Sequence, residues 1–310
     1  MIELVDISMK FKDKYAVKDL DMYINEGEIV GLLGPNGAGK STTISIMSSL
    51  ISPTSGDVRL HGKSILKDPQ PLRKISGVVP QEIALYGDLT AKENLQFFGK
   101  LYKIPDNQLK GKITEVLEQI GLTDRQDDLV KTFSGGMKRR LNIGVALLHN
   151  PEFIIMDEPT VGIDPQSRKY ILETVKRFNE ELGMTVVYTS HYMEEVEFLC
   201  NRIYIIDQGR VIASGTTEEI KQIISSDNML KIETESMNEQ FIELLEKDSI
   251  IYNVTTEDNS VTALVSKEVN AFKTILSYAE ETDVELKTIE IQAPTLEDVF
   301  LHLTGRALRD

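Results

Sequence analysis

Leu33-Gly34-Pro35-Asn36-Gly37-Ala38-Gly39-Lys40-Ser41-Thr42 is the stretch on which the reading of this chain turns. Its Gly-x-x-x-x-Gly-Lys-Ser spacing is that of a phosphate-binding loop. The apolar run Ile29 to Leu33 enters it as a buried strand and Ser41 to Leu50 leaves it as a helix, which is the context the motif needs. Glycines let successive N–H groups turn inward around an anion, and the helix N-terminus adds partial positive charge. Lys40 would then reach the β- and γ-phosphates, and the Ser41 hydroxyl would ligate Mg²⁺. The competing reading is a Gly-rich turn carrying a surface lysine.

Upstream, Ile2 to Ile7 and Asp19 to Ile24 alternate apolar and polar residues around a charged turn at Lys12-Asp13-Lys14, the pattern of antiparallel strands with one wet face. Tyr15, in the connection, offers either a flat π-face to a base or ordinary packing. Downstream, Asp57 to Leu60 and Ile75 to Pro80 read as strands, the latter ending at Gln81, by itself an unremarked polar residue. From Thr90 to about Asn150 the spacing turns helical, in three helices: Glu93 to Tyr102, Leu109 to Ile120 and Ser134 to His149. Gly121 and Asn150-Pro151 act as stops. The third helix opens on Ser134-Gly135-Gly136. Ser134 suits an N-cap, and two glycines cost helix stability unless something approaches the backbone. The alternatives are a capped surface helix with its basic side chains in solvent and a second anion site.

Phe153 to Met156 is a continuous apolar run, as in a strand covered on both faces, and it delivers Asp157 and Glu158 at its C-terminal end. Adjacent carboxylates there suit Mg²⁺ handling and water activation. A stiff loop, Pro159 to Pro165, and a helix, Gln166 to Leu182, lead to a buried strand, Thr185 to Ser190. That strand ends at His191, a capping or catalytic group. Arg202 to Asp207 and Arg210 to Ala213 form a hairpin about Gln208-Gly209.

Composition bounds the partners. The 310 residues, 41% apolar, allow one large domain and a smaller one. With 34 basic against 49 acidic side chains the formal charge is −15, so nucleic acid is not the expected ligand. The single cysteine, Cys200, makes no intrachain disulfide, fits a reducing compartment and reads as a small packed residue near a helix end. Without an apolar run of membrane-spanning length or a basic, secretion-type start, the expected location is the cytoplasm.

The ordered set resembles the ATP-binding-cassette (ABC) ATPases over roughly residues 1 to 220. Gly34, Pro35, Asn36, Gly37, Ala38, Gly39, Lys40, Ser41 and Thr42 match the Walker A loop and Gln81 the Q-loop. Ser134, Gly135 and Gly136 match the family signature, with Phe133 and Met137 departing from its commonest flanks. Phe153 to Glu158 match the Walker B strand, Val161 to Asp164 the D-loop, His191 the switch histidine and Tyr15 the adenine-stacking aromatic. The resemblance implies a P-loop NTPase fold of α/β class: a RecA-like core, an antiparallel β subdomain and a helical insert at about residues 85–150. It also implies ATP and Mg²⁺ as cofactors, with Ser41, Gln81 and Asp157 about the metal, and Lys40, Glu158 and His191 as catalytic groups. Each site would be completed by Ser134 and Gly136 of a second copy in a head-to-tail homodimer, so one chain alone should hydrolyse ATP weakly.

From Lys221 onward there are 8 basic and 18 acidic side chains, so most of the excess negative charge lies in the tail. The order there is strand (Met229 to Thr234), helix (Glu239 to Glu246), strands (Ile250 to Thr255 and Ser260 to Val265), helix (Val269 to Ala279), strand (Glu285 to Ile291). This gives a small α+β, ferredoxin-like split β-α-β domain over 223–310, after an ATPase domain over 1–222. Pro294 to Gly305 reads as a capped helix, with Thr295 as cap and Asp298 at the box position. It either closes the small domain or binds a partner. It resembles the ending of daunorubicin-resistance-type ATPase subunits, which work with separate ABC-2 membrane proteins. The implied function is the energy-coupling subunit of an ABC-2-type exporter, peripheral on the inner face of the cell membrane and coupled to a separate permease. The alternatives are a soluble ABC ATPase acting on ribosomes or nucleic acid, and a nucleotide-gated scaffold without turnover, which Glu158 disfavours.

Overall fold

The computed structural model describes residues 1–224, 227–236, 238–266, 271–292 and 295–305. Val269, the expected start of a tail helix, and Pro294, before the closing helix, lie outside the described residues. Two compact units divide after Thr217.

The first unit runs β1 (Ile2–Phe11), β2 (Lys14–Ile24), β3 (Ile29–Leu33), α1 (Lys40–Met47), β4 (Ser55–Leu60), β5 (Lys63–Ser64), α2 (Gln70–Ile75) and β6 (Ser76–Val79). It continues with α3 (Ala91–Leu101), α4 (Asp106–Gln119), α5 (Gly135–Leu147), β7 (Phe153–Met156), α6 (Pro165–Leu182), β8 (Thr185–Thr189), α7 (Met193–Leu199), β9 (Arg202–Asp207) and β10 (Arg210–Gly215), and α8 (Thr217–Lys221) begins at its end. β2, β1, β4 and β5 form an antiparallel sheet in that order. The main sheet has the order β10-β9-β3-β8-β7-β6, with all neighbours parallel except β10. Every residue of β3, β7 and β8 is buried, which explains runs such as Phe153-Ile154-Ile155-Met156 with no alternation. One core lies between the two sheets, where Leu4, Ile7, Leu20 and Ile24 meet Val30, Leu32, Ile155, Val187 and Ile206. Each such side chain, fully buried, contributes about 1.5–3 kcal/mol.

Sheet order sets the site. β3, β8, β7 and β6 are successive neighbours pointing the same way, so the residues after their C-terminal ends gather along one edge. Those residues are the loop from Gly34, His191, the pair Asp157-Glu158, and Gln81. A crevice outside the carboxyl ends of parallel strands is where ligands bind in such sheets.

Between β6 and β7 stand the three helices of the insert. α3 starts on a capping box, with Thr90 accepting from Glu93 N and Glu93 accepting from Thr90 N. Three short helices, α2, α7 and α8, were not expected from the sequence.

The second unit has β11 (Asp227–Thr234), α9 (Glu239–Lys247), β12 (Ile251–Glu257), β13 (Ser260–Ser266), α10 (Ala271–Glu281), β14 (Leu286–Gln292) and α11 (Leu296–Thr304). Its antiparallel sheet has the order β12-β13-β11-β14, the ferredoxin-like arrangement. Phe241 and Leu245 of α9 and Ile275 of α10 bury one face with Leu230, Ile232, Val261 and Val265. Thr295 and Asp298 form the capping box of α11, and Gly305 ends it in a left-handed conformation.

Candidate active site

The loop after β3 is shaped by what a side chain would strike. A Cβ on Gly34 would lie 2.3 Å from Ile206 O, and one on Gly39 would lie 2.5 Å from Ala16 O. Gly39 also caps α1 at φ 111, a conformation open only to glycine, and offers no side chain to the helix N–H groups. Those first N–H groups have no partner within the helix and face the loop. Lys40, nearly buried, donates to Gly34 O at 2.5 Å and to Pro35 O at 3.2 Å. Burial holds its pKa below 10.5, against the pull of Glu158 and Asp157. Desolvation therefore wins over two carboxylates, and the ammonium is short of counter-charge that a phosphate would supply.

A cavity of about 620 Å³ lies over this loop. Of the residues singled out from the sequence, Tyr15, Asn36 to Thr42, Gln81, Glu158 and His191 line it. Gly34 and Pro35 contribute carbonyls to Lys40 instead. Asp157 lies off the lining and accepts from Thr189 Oγ1 at 2.8 Å. Ser134, Gly135 and Gly136 do not line the cavity. Ser134 caps α5, accepting from Met137 N at 3.2 Å, and is exposed together with Gly135.

Glu158 is the most constrained group. It is buried, its φ is +47, and its N–H donates to Thr189 Oγ1 at 2.8 Å. A left-handed non-glycine residue costs about 1–3 kcal/mol and persists only where the surroundings over-determine it. Both carboxylate oxygens are engaged: Oε2 accepts from Gln81 Nε2 at 2.9 Å, and Oε1 lies 2.5 Å from His191 Nε2. Three loops from three adjacent strands thus meet on one carboxylate.

Four further residues of this site were not legible beforehand. Phe11 lines the cavity beside Tyr15. Lys10 and Lys18 each stand 5.5 Å from the Tyr15 ring centroid. Thr189 joins both carboxylate residues, although as a strand end it carried no signal of its own. Arg139 corrects the solvent-facing alternative for the basic side chains of α5: it is buried and donates to Pro80 O at 2.8 Å and Gln81 O at 2.6 Å. The signature helix is thereby tied to the Gln81 backbone. Gly136 has an internal cause as well, since a Cβ there would fall 2.1 Å from Ser167 Oγ. Gly135, by contrast, faces open space.

Comparison with known proteins places this geometry. Residues 17–161 match the family described as ABC transporter, and residues 215–304 match the C-terminal domain described as ATP-binding protein DrrA1-3-like. The chain is 47% identical to the linearmycin resistance ATP-binding protein LnrL of Bacillus subtilis (strain 168), over 100% of both chains. The chain belongs to the ABC transporter family. To the daunorubicin/doxorubicin resistance ATP-binding protein DrrA of Streptomyces peucetius this ABC subunit is 34% identical, over 100% of its own length and 94% of the relative. Among solved structures it is similar to the dimeric ATP-binding cassette MJ0796 in a post-hydrolysis state bound to ADP and Pi. That similarity has a TM-score of 0.63 at 29% identity, over 70% of this chain and 98% of the other. The structure of cbiO1 from Clostridium perfringens, part of the ABC transporter complex cbiONQ, gives 0.66 at 27%, over 72% and 92%.

This ABC subunit is accordingly an ATPase, with ATP and Mg²⁺ as its ligands. The residues fit the metal. Ser41 and Gln81 line the cavity and offer hard oxygen donors there, and the Asp157 carboxylate stands behind them, accepting from Thr189 Oγ1. A sparse oxygen set is what Mg²⁺ uses when phosphates and waters fill the remaining positions.

Proposed function

We propose that the chain is the energy-coupling subunit of an ABC-2-type exporter, acting as a head-to-tail homodimer with two ATP at the shared face. The observation that carries this reading is the incompleteness of the site. The 620 Å³ cavity contains the phosphate loop, Gln81, Glu158 and His191, while Ser134 and Gly135 are exposed elsewhere on the same unit. A second copy would bring its Ser134, Gly135 and Gly136 against nucleotide held by the first.

The roles follow from the geometry. The N–H groups at the start of α1 and the Lys40 ammonium hold the phosphates, Lys40 leaving the Gly34 and Pro35 carbonyls to do so. Ser41 and Asp157, with Gln81, would hold Mg²⁺, which offsets phosphate charge when bound. Glu158 Oε1 polarises the attacking water once His191 turns toward the γ-phosphate, and Gln81 fixes the other oxygen. Tyr15 stacks on the base. Residues 1–222 are assigned as the ATPase domain, with the helical subdomain at about 85–150, and 223–310 as an accessory domain.

The permease assignment draws on two supports. The DrrA-like C-terminal match spans nearly the whole second unit, and the relatives it accompanies are named for drug resistance or, in one case, Nod factor export. In the first unit, Ile83, Tyr86 and Phe97 are exposed, and the Tyr86 and Phe97 rings meet edge-on at 4.9 Å. An exposed apolar cluster that begins two residues beyond Gln81 and takes in Phe97 of α3 suits a membrane partner that must feel the state of the site. No helix among the described residues is long and apolar enough to cross a membrane; the permease is proposed as a separate polypeptide, with this chain on the inner membrane face, on the likeness to relatives named as ATP-binding proteins. The formal charge of −15 argues against ribosomes and nucleic acid as partners.

Steady-state ATPase of wild type and Glu158→Gln tests the catalytic part. Loss of about 10²–10⁴-fold in kcat supports Glu158 as the base, and equal rates reject it. Fractionation tests the partner: recovery with membranes supports the exporter reading, and recovery with ribosomes supports the alternative.

A further inference from the structure

Behind the site lies a second carboxylate that the ATPase chemistry does not use. Glu195, on α7, is 2% exposed. Its Oε2 accepts from three hydroxyls: Thr160 at 2.8 Å, Tyr188 at 2.9 Å and Ser190 at 2.6 Å. Its Oε1 accepts no hydrogen bond and lies 3.4 Å from Arg168 Nε, the only ion pair it makes among the described residues. Burial and the Glu195 charge push the Tyr188 hydroxyl well above its ordinary pKa, so it remains a donor.

The three donors are placed with consequence. Thr160 follows Glu158 by two residues, at the head of the loop that runs to Asp164. Ser190 immediately precedes His191, and its Oγ also accepts from Tyr192 N at 3.0 Å. One buried oxygen therefore joins the backbone that carries Glu158 to the backbone that carries His191. Arg168, on the helix that the loop leads into, stacks over the Tyr192 ring at 3.8 Å, closing the circuit on the far side of His191.

We infer that Glu195 is a positioning residue, whose one carboxylate holds the Glu158 loop and the His191 segment in register so that movement of residues 160–164 is transmitted to His191. This rests on the roles assigned to Glu158 and His191 above. A buried ion with a single partly exposed counter-charge is costly to keep. A hydrophobic residue would fill the same space more cheaply, but it would leave three hydroxyls without an acceptor and the two loops unlinked.

The test uses the full chain, with kcat from steady-state ATPase and MgATP affinity from calorimetry. Glu195→Gln keeps the shape, keeps one acceptor oxygen and removes the charge. It is expected to lower kcat about ten- to a hundredfold through misplacement of Glu158 and His191. The MgATP Kd should stay within about twofold, because ground-state binding is untouched. Thr160→Val and Ser190→Ala should each lower kcat by less and add little in the Glu195→Gln background, because all three remove one linkage. Should Glu195→Gln fail to fold, the Thr160→Val and Ser190→Ala pair is read the same way, non-additive loss supporting the linkage and additive loss overturning it. Wild-type kcat in Glu195→Gln, or a loss of affinity as large as the loss of kcat, overturns the inference. Glu158→Gln, run alongside, separates the two failures. If it is inactive while Glu195→Gln is normal, only the linkage is wrong; if it retains full turnover, the site assignment falls and the linkage with it.

Discussion

Replacement of Gly136 by alanine tests why the signature carries its second glycine. The new Cβ would stand 2.1 Å from Ser167 Oγ, 2.4 Å from Ser167 Cβ and 3.3 Å from Ile163 Cγ2. Rotating Ser167 moves its hydroxyl but not its Cβ, which is fixed to the first turn of α6, so α5 or α6 must shift. Overpacking of this kind costs about 1–3 kcal/mol. Gly136 lies in the first turn of α5, so alanine's better helix propensity returns only part of its interior value of about 1 kcal/mol, and a net loss of about 1–2 kcal/mol is expected. For a unit of this size that lowers Tm by about 2–8 °C, read by thermal denaturation without nucleotide. Ser167→Gly removes both clashing atoms and should restore most of the loss in the double variant. Gly135→Ala, facing open space, should leave Tm unchanged while lowering ATPase if that face closes on a partner's nucleotide. An unchanged or higher Tm for Gly136→Ala, or no recovery in the double variant, refutes the packing argument.

Three other outcomes follow from the site and its frame. Arg139→Met takes the Arg139 donor from Gln81 O and leaves Pro80 O only Asn142 Nδ2 at 3.5 Å, and should cost about 1–3 kcal/mol in denaturant unfolding, together with a fall in kcat. Lys40→Met should abolish nucleotide binding. Burial depresses the folded pKa below 10.5, so between those values the unfolded chain binds the extra proton and stability climbs with pH; that slope should be missing in Lys40→Met. For Glu28, burial raises the carboxyl pKa, but bonds from Arg202 and the Asn25 N–H outweigh it and the net pKa is below 4.5. Its stabilisation is present above 4.5 and lost as pH falls through the folded value, so Glu28→Gln should be the weaker chain near neutrality and show a shallower acid loss in urea unfolding.

Much of the chain was legible because its physics is local. The phosphate loop announces itself by glycine spacing, and β7, Phe153–Met156, and β9, Arg202–Asp207, were bounded to the residue by apolar runs and turn residues. The tail order implied the ferredoxin-like sheet, and Thr295 and Asp298 take the expected capping roles. What escaped depends on distant partners. Arg139 reads as one more basic residue on an exposed helix, and only its bond to a carbonyl 58 positions away buries it. Glu195 sits in the acidic run Glu194-Glu195-Val196-Glu197, where no period separates the buried carboxylate from its solvated neighbours. Gly136 looked like an approach point for ligand, while its nearest constraint is Ser167 of the same chain. The short helices α2, α7 and α8 have too few turns for a periodic signal.

The central claim is that each nucleotide site is built from two copies of this chain. Complementation tests it most directly: ATPase is measured for Lys40→Met alone, for Ser134→Arg alone, and for an equimolar mixture. Lys40→Met keeps an intact signature and Ser134→Arg an intact phosphate loop, so a mixed dimer rebuilds one complete site. The account predicts two inactive preparations and a mixture that hydrolyses ATP. A Ser134→Arg chain that turns over at the wild-type rate, or a mixture no faster than its components, would contradict it.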